Sequence, residues 1–265
     1  MPGTGGGNGA VTRSTLRQQL ADALRDEVLA GRLKPGQEFT VKEIAEQYGV
    51  SATPVREALV DLSAQGLLDA VQHRGFEVHE YSVADYRNMV EARILVTAGM
   101  FRRLGDREVD PRTAAALAGV RRRGEEARRA ATAGDVDILI GYDLRFWREL
   151  SALFGNPYLT DFLHRLRVQA WVCAVQHLRQ TDVRHPRQTD VRTNNQPGNQ
   201  PGHHLGHQPD NDRADDLRDD LKGRLWADHT DLVDALSRRD AQTAQEIIAG
   251  YDEQSLTLVE RLADG

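Results

Sequence analysis

The chain has 265 residues, a formal net charge of -6 at pH 7 and one cysteine, Cys173. The length allows two domains of ordinary size, the lone cysteine excludes an intrachain disulfide and suits a buried core position, and the negative charge argues against a nonspecific binder of nucleic acid. No run of eighteen apolar residues is present and the first residues lack the pattern of a signal peptide, so we expect a soluble, cytoplasmic protein with no membrane association.

The N-terminal stretch changes character at residue 13. Residues 1–12 are rich in glycine and have no apolar period, which predicts a disordered tail. Residues 13–30 place an apolar side chain at every fourth position, which predicts an amphipathic helix ending at Gly31. These apolar residues are Leu16, Leu20, Leu24 and Val28.

Two short helices and a hairpin follow. Thr40 and Glu43 have the spacing of a capping box that opens the first of these helices, and Ser51 is suited to N-cap the second. Two strand-like runs on either side of the polar tip at residues 72–75 predict a β-hairpin. Helix, turn, helix and hairpin in this order predict a winged helix-turn-helix domain over residues 13–80.

Four stretches of this domain resemble the GntR superfamily of bacterial transcription regulators. They are residues 30–36 (AGRLKPG), 44–45 (IA), 50–59 (VSATPVREAL) and 74–75 (RG). The resemblance implies that the third helix of the domain enters the major groove of DNA and that the wing reaches the minor groove. By position, it also implies DNA contacts from Ser51, Thr53 and Arg56 on the helix and from His73, Arg74 and Gly75 on the wing.

One position departs from the family, and the charge of the domain limits how it binds. Ala52 stands where the family usually has an arginine that contacts guanine, so either the operator differs there or some affinity is lost.

Residues 13–80 carry three more acidic than basic residues, so DNA binding requires a locally basic face. The candidates for that face are Arg32, Lys34, Lys42, Arg56 and Arg74. The alternative is that Ser51 and Thr53 only cap the helix and that Arg56 pairs with Glu57 or Asp61.

Residues 81–265 have helical character apart from one segment. Six helices are predicted, and the short connections between them favour an antiparallel all-α bundle. They begin near Ser82, Pro111, Gly134, Asn156, Asp215 and Asp240. Residues 180–212 contain a repeated six-residue unit and almost no apolar side chains, which predicts a disordered insertion. The predicted fold class is therefore mostly α, with an N-terminal winged helix-turn-helix and a C-terminal bundle for effector binding and dimerisation.

The bundle resembles the FCD type of ligand-binding domain in the FadR-like branch of the same superfamily. The matching stretches are residues 91–93, 143–150, 156–157 and 228–236. Many such domains hold a divalent metal through one Asp and three His, and the metal helps to bind a carboxylate effector. By position, Asp143 and His229 correspond to two of these ligands, whereas Trp147 and Tyr251 stand where His is expected.

An indole has no lone pair for a metal and a neutral phenol is a weak ligand, so we predict an incomplete metal site and no cofactor. A hydrogen-bonded Asp143–His229 pair that fills the former site is the favoured interpretation. The cavity can still hold a small-molecule effector, with Tyr251 and the apolar wall of Trp147 beside it and Arg93 as the partner of an anion. The alternative for Arg93 is an ion pair with Glu91 or Asp143.

These patterns predict a DNA-binding transcriptional regulator, a ligand-responsive repressor that binds a pseudo-palindromic operator as a homodimer. The sensed molecule would be a small metabolite such as an organic acid. One alternative is a regulator that has lost effector or metal sensing. Another is a metal-binding module built on His185, His203, His204 and His207. We predict no enzymatic activity, because the chain has no phosphate-binding loop, nucleophile elbow or paired zinc motif.

Overall fold

The computed structural model describes residues 7–105, 110–184 and 228–264, which form nine helices and three short strands. The N-terminal domain contains α1 (Gly7–Leu29), β1 (Glu38–Phe39), α2 (Val41–Tyr48), α3 (Ala52–Ala64), β2 (Leu68–Val71) and β3 (Gly75–Val78). The C-terminal domain contains α4 (Val83–Gly105), α5 (Pro111–Ala133), α6 (Val136–Ala152), α7 (Pro157–Arg184), α8 (Asp228–Ser237) and α9 (Ala241–Asp264). The predicted fold class, a winged helix-turn-helix followed by an all-helical domain, is confirmed.

The turn between α2 and α3 is formed by local hydrogen bonds and one glycine. Thr40 and Glu43 make the predicted capping box, in which the Glu43 amide donates to Thr40 Oγ1 at 3.2 Å and the Thr40 amide donates to Glu43 Oε2 at 2.7 Å. Gly49 ends α2 with a left-handed φ of 64°. Ser51 occupies the N-cap position of α3, but its side chain makes no cap hydrogen bond.

The hairpin belongs to a three-stranded antiparallel sheet in the order β1-β3-β2. Glu38 of β1 lies opposite Glu77, and Leu68 of β2 lies opposite Val78. The two-residue strand β1 was not predicted from the sequence, because two residues are too short to show an alternating pattern. Its pairing ties the wing to the segment that precedes α2.

Helix α1 packs its apolar face on the helix-turn-helix. The buried core of the N-terminal domain contains Leu20, Leu24 and Val28 from this helix together with Val55, Leu59 and Leu62 from α3. The helix begins at Gly7 rather than Arg13, so residues 7–12 of the predicted tail are helical. Residues 1–6 of that tail lie outside the described residues.

The bundle is formed by helices that pack mainly as neighbours along the chain, as α5 with α6 and α8 with α9, and by the packing of α4 on α9. Asp110 and Asp135 cap α5 and α6, each accepting a backbone hydrogen bond from the residue three positions on. Helix α7 continues to Arg184, so residues 180–184 of the predicted insertion are helical. Residues 185–212, and the predicted helix start at Asp215, lie outside the described residues, where the insertion stays a prediction.

Helix α7 lies in the interior, because consecutive side chains from Ala170 to Cys173 are all buried. Its apolar residues belong to a continuous core that also contains residues of α1, α3 and α9. The N-terminal domain and the bundle therefore share one hydrophobic cluster. Among the residues described, no helix has the length and apolar character needed to cross a bilayer.

Candidate functional site

The predicted DNA-contacting side chains of α2 and α3 are exposed and adjacent. Ser51, Thr53 and Arg56 are all exposed on the N-terminal half of α3. Lys42 of α2 and Arg56 of α3 line the same open groove, which also includes Ala52. The structure thus brings a lysine and an arginine together on the exposed face that the helix-turn-helix presents.

Arg56 takes no part in the ion pairs of the described N-terminal domain. Asp61 pairs with Arg17 at 3.4 Å, and within the described residues Arg56 has no ion pair or side-chain hydrogen bond. The expected alternative, a surface pair of Arg56 with Glu57 or Asp61, is therefore wrong for this structure. A free guanidinium at the start of the exposed helix suits a base or phosphate contact.

The other basic candidates make weak surface pairs. Arg32 lies 2.8 Å from Glu27, Lys42 lies 3.7 Å from Glu46 and Arg74 lies 3.3 Å from Glu38. Exposed pairs of this kind contribute about 0–1 kcal/mol, so each cation can exchange its partner for a phosphate at little cost. Lys34 is exposed as well.

The tip of the wing is held in an unusual backbone conformation. His73 has a φ of 63° and Gly75 a φ of 127°, both in the region that side chains disfavour. A Cβ atom on Gly75 would lie 2.4 Å from the carbonyl oxygen of Phe39. Gly75 therefore has a structural role in bringing the wing against β1, while the exposed side chains of His73 and Arg74 are available to a partner.

A cluster of buried polar side chains occupies the centre of the bundle. Asp143 of α6 has no accessible surface, and both its oxygens accept hydrogen bonds from Arg167 of α7, at 2.8 Å from Nε and 2.7 Å from Nη2. The Trp171 indole N–H donates to the same carboxylate at 2.5 Å. His229 Nε2 lies 3.7 Å from Asp143 Oδ1, which is longer than a hydrogen bond. The expected Asp143–His229 pair is therefore a contact without a hydrogen bond, and Asp143 accepts two hydrogen bonds from Arg167, whose planar guanidinium matches the two oxygens of a carboxylate.

Aromatic rings enclose the Arg167 guanidinium. Its Cζ atom lies 4.7 Å from the centroid of the Trp147 ring and 4.9 Å from that of Tyr251, within the range of cation–π attraction. Arg167 Nη2 also donates to the Tyr251 hydroxyl at 2.5 Å. The rings of Trp147, His229 and Tyr251 contact one another, with centroids 5.6–6.2 Å apart. Four predicted effector residues, Asp143, Trp147, His229 and Tyr251, are thus brought together.

Arg93 of α4 reaches the edge of this cluster and has a different partner from those expected. It pairs with the fully buried Asp252 of α9, while Glu91 is exposed and Asp143 binds Arg167. The expected pairing with Glu91 or Asp143 is wrong, because α9 packs on α4 and presents Asp252 to Arg93. The guanidinium lies 5.9 Å from the Tyr251 ring centroid.

The charges of the cluster stabilise each other. Burial acts to raise the pKa of Asp143, but the positive charge of Arg167, the hydrogen bonds that Arg167 donates and the nearby His229 together hold the pKa well below its usual range. Burial likewise opposes the charged form of Arg167, and the carboxylate of Asp143 raises the pKa of the guanidinium above its ordinary value. Burial raises the pKa of the Tyr251 phenol, which stays neutral. At neutral pH the centre of the bundle therefore holds a carboxylate and a guanidinium as an ion pair.

This arrangement does not fit a divalent metal. The two oxygens of Asp143 already accept three N–H donors, and a guanidinium stands where a cation would have to enter. Within the described residues no group of three His, Cys, Asp or Glu side chains has a geometry suited to a metal ion. His185, His203, His204 and His207 of the alternative metal-binding loop lie outside the described residues.

A cavity of about 30 Å³ opens beside the cluster, room for roughly two water molecules. Its polar lining consists of Tyr86, Arg93, Arg167, Trp171, Tyr251 and Ser255. Two donors of the residues that line it, Arg93 Nε and Arg167 Nη1, are buried and have no hydrogen-bond partner. Unpaired buried N–H groups are costly, and a guanidinium N–H is satisfied only by an acceptor. The cavity is therefore suited to a group that accepts hydrogen bonds.

Three residues of the cluster were missed from the sequence: Arg167, Trp171 and Asp252. Arg167 and Trp171 are four apart on α7 and so share a face, which is the pattern that marked Asp143 and Trp147 on α6. Asp252 follows Tyr251 directly. The side-chain types alone gave no reason to prefer these positions over the many other charged residues of the bundle.

The fold and the two sites define a two-domain DNA-binding regulator, in which an exposed helix-turn-helix precedes a bundle with a buried polar pocket. The profile of the bacterial regulatory proteins of the gntR family matches residues 16–78, and that of the FCD domain matches residues 88–193. The chain therefore belongs to the GntR family and carries an FCD domain. Proteins of this family are transcription regulators.

Two relatives agree with this assignment, and one solved structure has the same fold. A probable D-xylose utilization operon transcriptional repressor of Paenarthrobacter nicotinovorans is 40% identical over 83 residues, 31% of this chain and only 37% of that protein. The regulator McbR of Escherichia coli K12 is 28% identical over 171 residues, 64% of this chain and 73% of McbR. The structure of E. coli McbR matches with a TM-score of 0.66 at 21% identity, covering 92% of this chain and 97% of that one.

Proposed function

We propose that the protein is a homodimeric, ligand-responsive repressor that binds a pseudo-palindromic operator in the bacterial cytoplasm. The observation that carries the proposal is the exposed groove in which Lys42 and the unpaired Arg56 lie together at the start of α3. Ser51, Thr53, Arg32, His73 and Arg74 would add contacts to bases and phosphates. The assignment as a repressor rests on the relative from P. nicotinovorans, which is named as one.

The homodimer is supported by an apolar face on the bundle. Leu95 of α4 is 69% exposed, and Tyr158 at the start of α7 is 86% exposed. A groove of about 260 Å³ is lined by residues of α4 and of α7 that directly follow these two in the sequence, and its side chains are mostly apolar, including Val96, Met100 and Leu159. A second copy that packs by the same face would cover these residues and place two recognition helices on one operator.

The effector in this proposal is a small oxyanion bound without a metal. The guanidinium of Arg167 lies beside Asp143 and supplies the positive charge that a metal ion would otherwise supply. The unpaired N–H groups of Arg93 and Arg167 would donate hydrogen bonds to the anion. The cavity has room for one carboxylate or similar group. The effector must bind the free and the DNA-bound forms unequally to control repression.

Selection of operator DNA from a random library tests the proposal. The full chain should enrich a pseudo-palindrome, and binding of that DNA should weaken steeply with salt. Arg56→Ala should reduce affinity by roughly 5- to 150-fold for each half-site, the effect of losing about 1–3 kcal/mol from one base contact, and the substitution affects both half-sites. Arg128→Ala removes an equally charged, exposed arginine of α5 and should leave affinity unchanged. Enrichment of no sequence, or equal affinity of the Arg56 variant, would contradict the proposal.

A second candidate is a DNA-binding regulator that senses no effector. The observation in its favour is that Arg167 already donates to both oxygens of Asp143 and Trp171 donates to one of them. Thermal melting with formate, acetate, lactate, pyruvate, succinate and phosphate, each with and without EDTA, separates the two. Stabilisation by one of these anions that EDTA does not abolish, and that Arg93→Met weakens, supports oxyanion sensing. No stabilisation by any of them favours the second candidate.

A further inference from the structure

Helix α7 makes two sets of polar contacts from two of its faces. Arg167 and Trp171, four residues apart, bind Asp143 inside the pocket. Gln169 and Gln176, seven residues apart on another face, bind backbone groups of the N-terminal domain and of the segment that leaves it. One helix therefore contacts both the pocket and the DNA-binding domain.

Gln169 holds the end of the recognition helix. Its side-chain amide donates at 2.7 Å to the carbonyl oxygen of Gln65, the residue that caps α3 at its C-terminus. Next to it, the Tyr81 hydroxyl donates at 2.5 Å to the carbonyl oxygen of Gly66. The carbonyl groups just beyond α3 are thus bound by side chains from outside the helix-turn-helix, and the position of α3 depends on them.

Gln176 holds the segment that follows the wing. Its side-chain nitrogen donates to the carbonyl oxygen of His79 at 2.7 Å, and its side-chain oxygen accepts the amide of Tyr81 at 3.1 Å. Gln176 is buried, with only 6% of its surface exposed. Two hydrogen bonds from one buried amide fix this segment relative to α7.

Helix α7 is packed so closely in the core that it cannot shift locally without moving its neighbours. Val172 and Cys173 have no accessible surface, and the core that contains them also contains Leu59 and Leu62 of α3. Close-packed interiors are only slightly compressible, so a shift of one element is passed to its neighbours. A change at Arg167 or Trp171 should therefore move the whole helix, and Gln169 and Gln176 with it.

We propose that α7 couples the pocket to the DNA-binding domain, with Gln169 and Gln176 as the positioning residues that pass a change at Arg167 and Trp171 to α3 and the wing. This inference rests on the proposed function, because coupling has a regulatory use only if the pocket binds an effector. The coupling itself is a property of the free chain and needs neither ligand nor DNA to be measured.

Amide hydrogen exchange on the full chain tests the coupling. Trp171→Phe removes one donor to Asp143 and leaves the contacts of Gln169 and Gln176 in place. It should speed exchange of two amides by roughly fivefold or more: that of Leu67, which donates to the Leu62 carbonyl oxygen at the end of α3, and that of His79, which donates to the Leu67 carbonyl oxygen and closes the hairpin. In the background of Gln169→Ala with Gln176→Ala, the same Trp171 substitution should change these rates by less than about twofold.

The matched control is Arg165→Ala, an exposed position on α7 that should leave exchange at Leu67 and His79 unchanged. Tyr251→Phe, which removes the hydroxyl bound to Arg167, serves as a second change in the pocket if the Trp171 variant folds poorly. An equal effect of the pocket change in both backgrounds, or none in the wild type with either variant, would overturn the coupling. Because no operator or effector is used, this outcome is distinct from failure of the repressor proposal.

Discussion

Asp143 and Arg167 form the charge pair on which the polar centre of the bundle depends. Their exposed fractions are 0% and 3%, and two hydrogen bonds join them. Removing one partner would leave a buried charge without compensation, which is more costly than the net value of the pair itself. Arg167→Met should therefore lower the free energy of unfolding at pH 7 by about 3–5 kcal/mol.

The double variant Asp143→Asn with Arg167→Met is the control for this prediction. Because it removes both charges, it should be clearly more stable than Arg167→Met alone, as urea unfolding of the three proteins would measure. A double variant no more stable than the single one would contradict the prediction, because the unpaired carboxylate would then not be the source of the loss.

His164 of α7 gives the bundle a dependence on mild acid. Burial, followed by the nearby charges of Arg148 and Arg25, lowers its pKa from 6.5 to about 4. Between about pH 6.5 and 4, His164 is protonated in the unfolded chain but not in the folded chain. The free energy of unfolding should therefore fall as the pH drops through this range. His164→Asn should flatten the free energy of unfolding across this window in urea titrations at several pH values. An unchanged slope would contradict the assignment.

The chemistry of the pocket was only partly predictable from the sequence. Asp143, Trp147, His229 and Tyr251 were found because each aligns with a position of a known ligand set. Arg167 was not found, because its role depends on the rotation of α7 about its axis, which is fixed by packing against α6 and the N-terminal domain. The same packing gave Arg93 a partner, Asp252, that no local spacing indicated.

Among the elements, the wing is the one most constrained by a single residue. Gly75 combines a φ of 127° with a gap too small for a Cβ atom, 2.4 Å from the Phe39 carbonyl oxygen. Gly75→Ala must therefore strain the backbone or separate β3 from β1. We expect a loss of about 1–3 kcal/mol in the free energy of unfolding, together with weaker operator binding in fluorescence anisotropy.

Gly49 provides the comparison for Gly75. It also has a positive φ, 64°, but a Cβ there would meet no atom within 4 Å. Gly49→Ala should therefore cost only the conformational strain, about 1–2 kcal/mol, and leave the wing in place. Equal losses in both variants, measured by chemical unfolding, would mean that contact with Phe39 adds nothing.

The sequence predicted an element well where residues close together in the chain are enough to form it. The capping box at Thr40 was found because two side chains and two amides suffice to make it. Strand β1 was missed because its two residues are strand only through pairing with β3. For the same reason the sequence indicated six helices in the bundle but not that α7 would lie between the two domains.

In the proposed homodimer, the arrangement of the two copies would decide whether the exposed helix-turn-helix binds an operator tightly. Leu95 is 69% exposed on α4, and burying it against a second copy would favour association. Leu95→Asp would bury a charge on both sides of a symmetric interface, so it should convert a dimer to monomers in light scattering at micromolar concentrations. Operator affinity should fall as well, because a monomer has one DNA-binding domain and loses the contact made by the second, linked domain.

Ile138→Asp, at a 51% exposed position of α6, is the control and should leave the mass and the affinity unchanged. A dimer that persists in the Leu95 variant would place the interface elsewhere on the bundle.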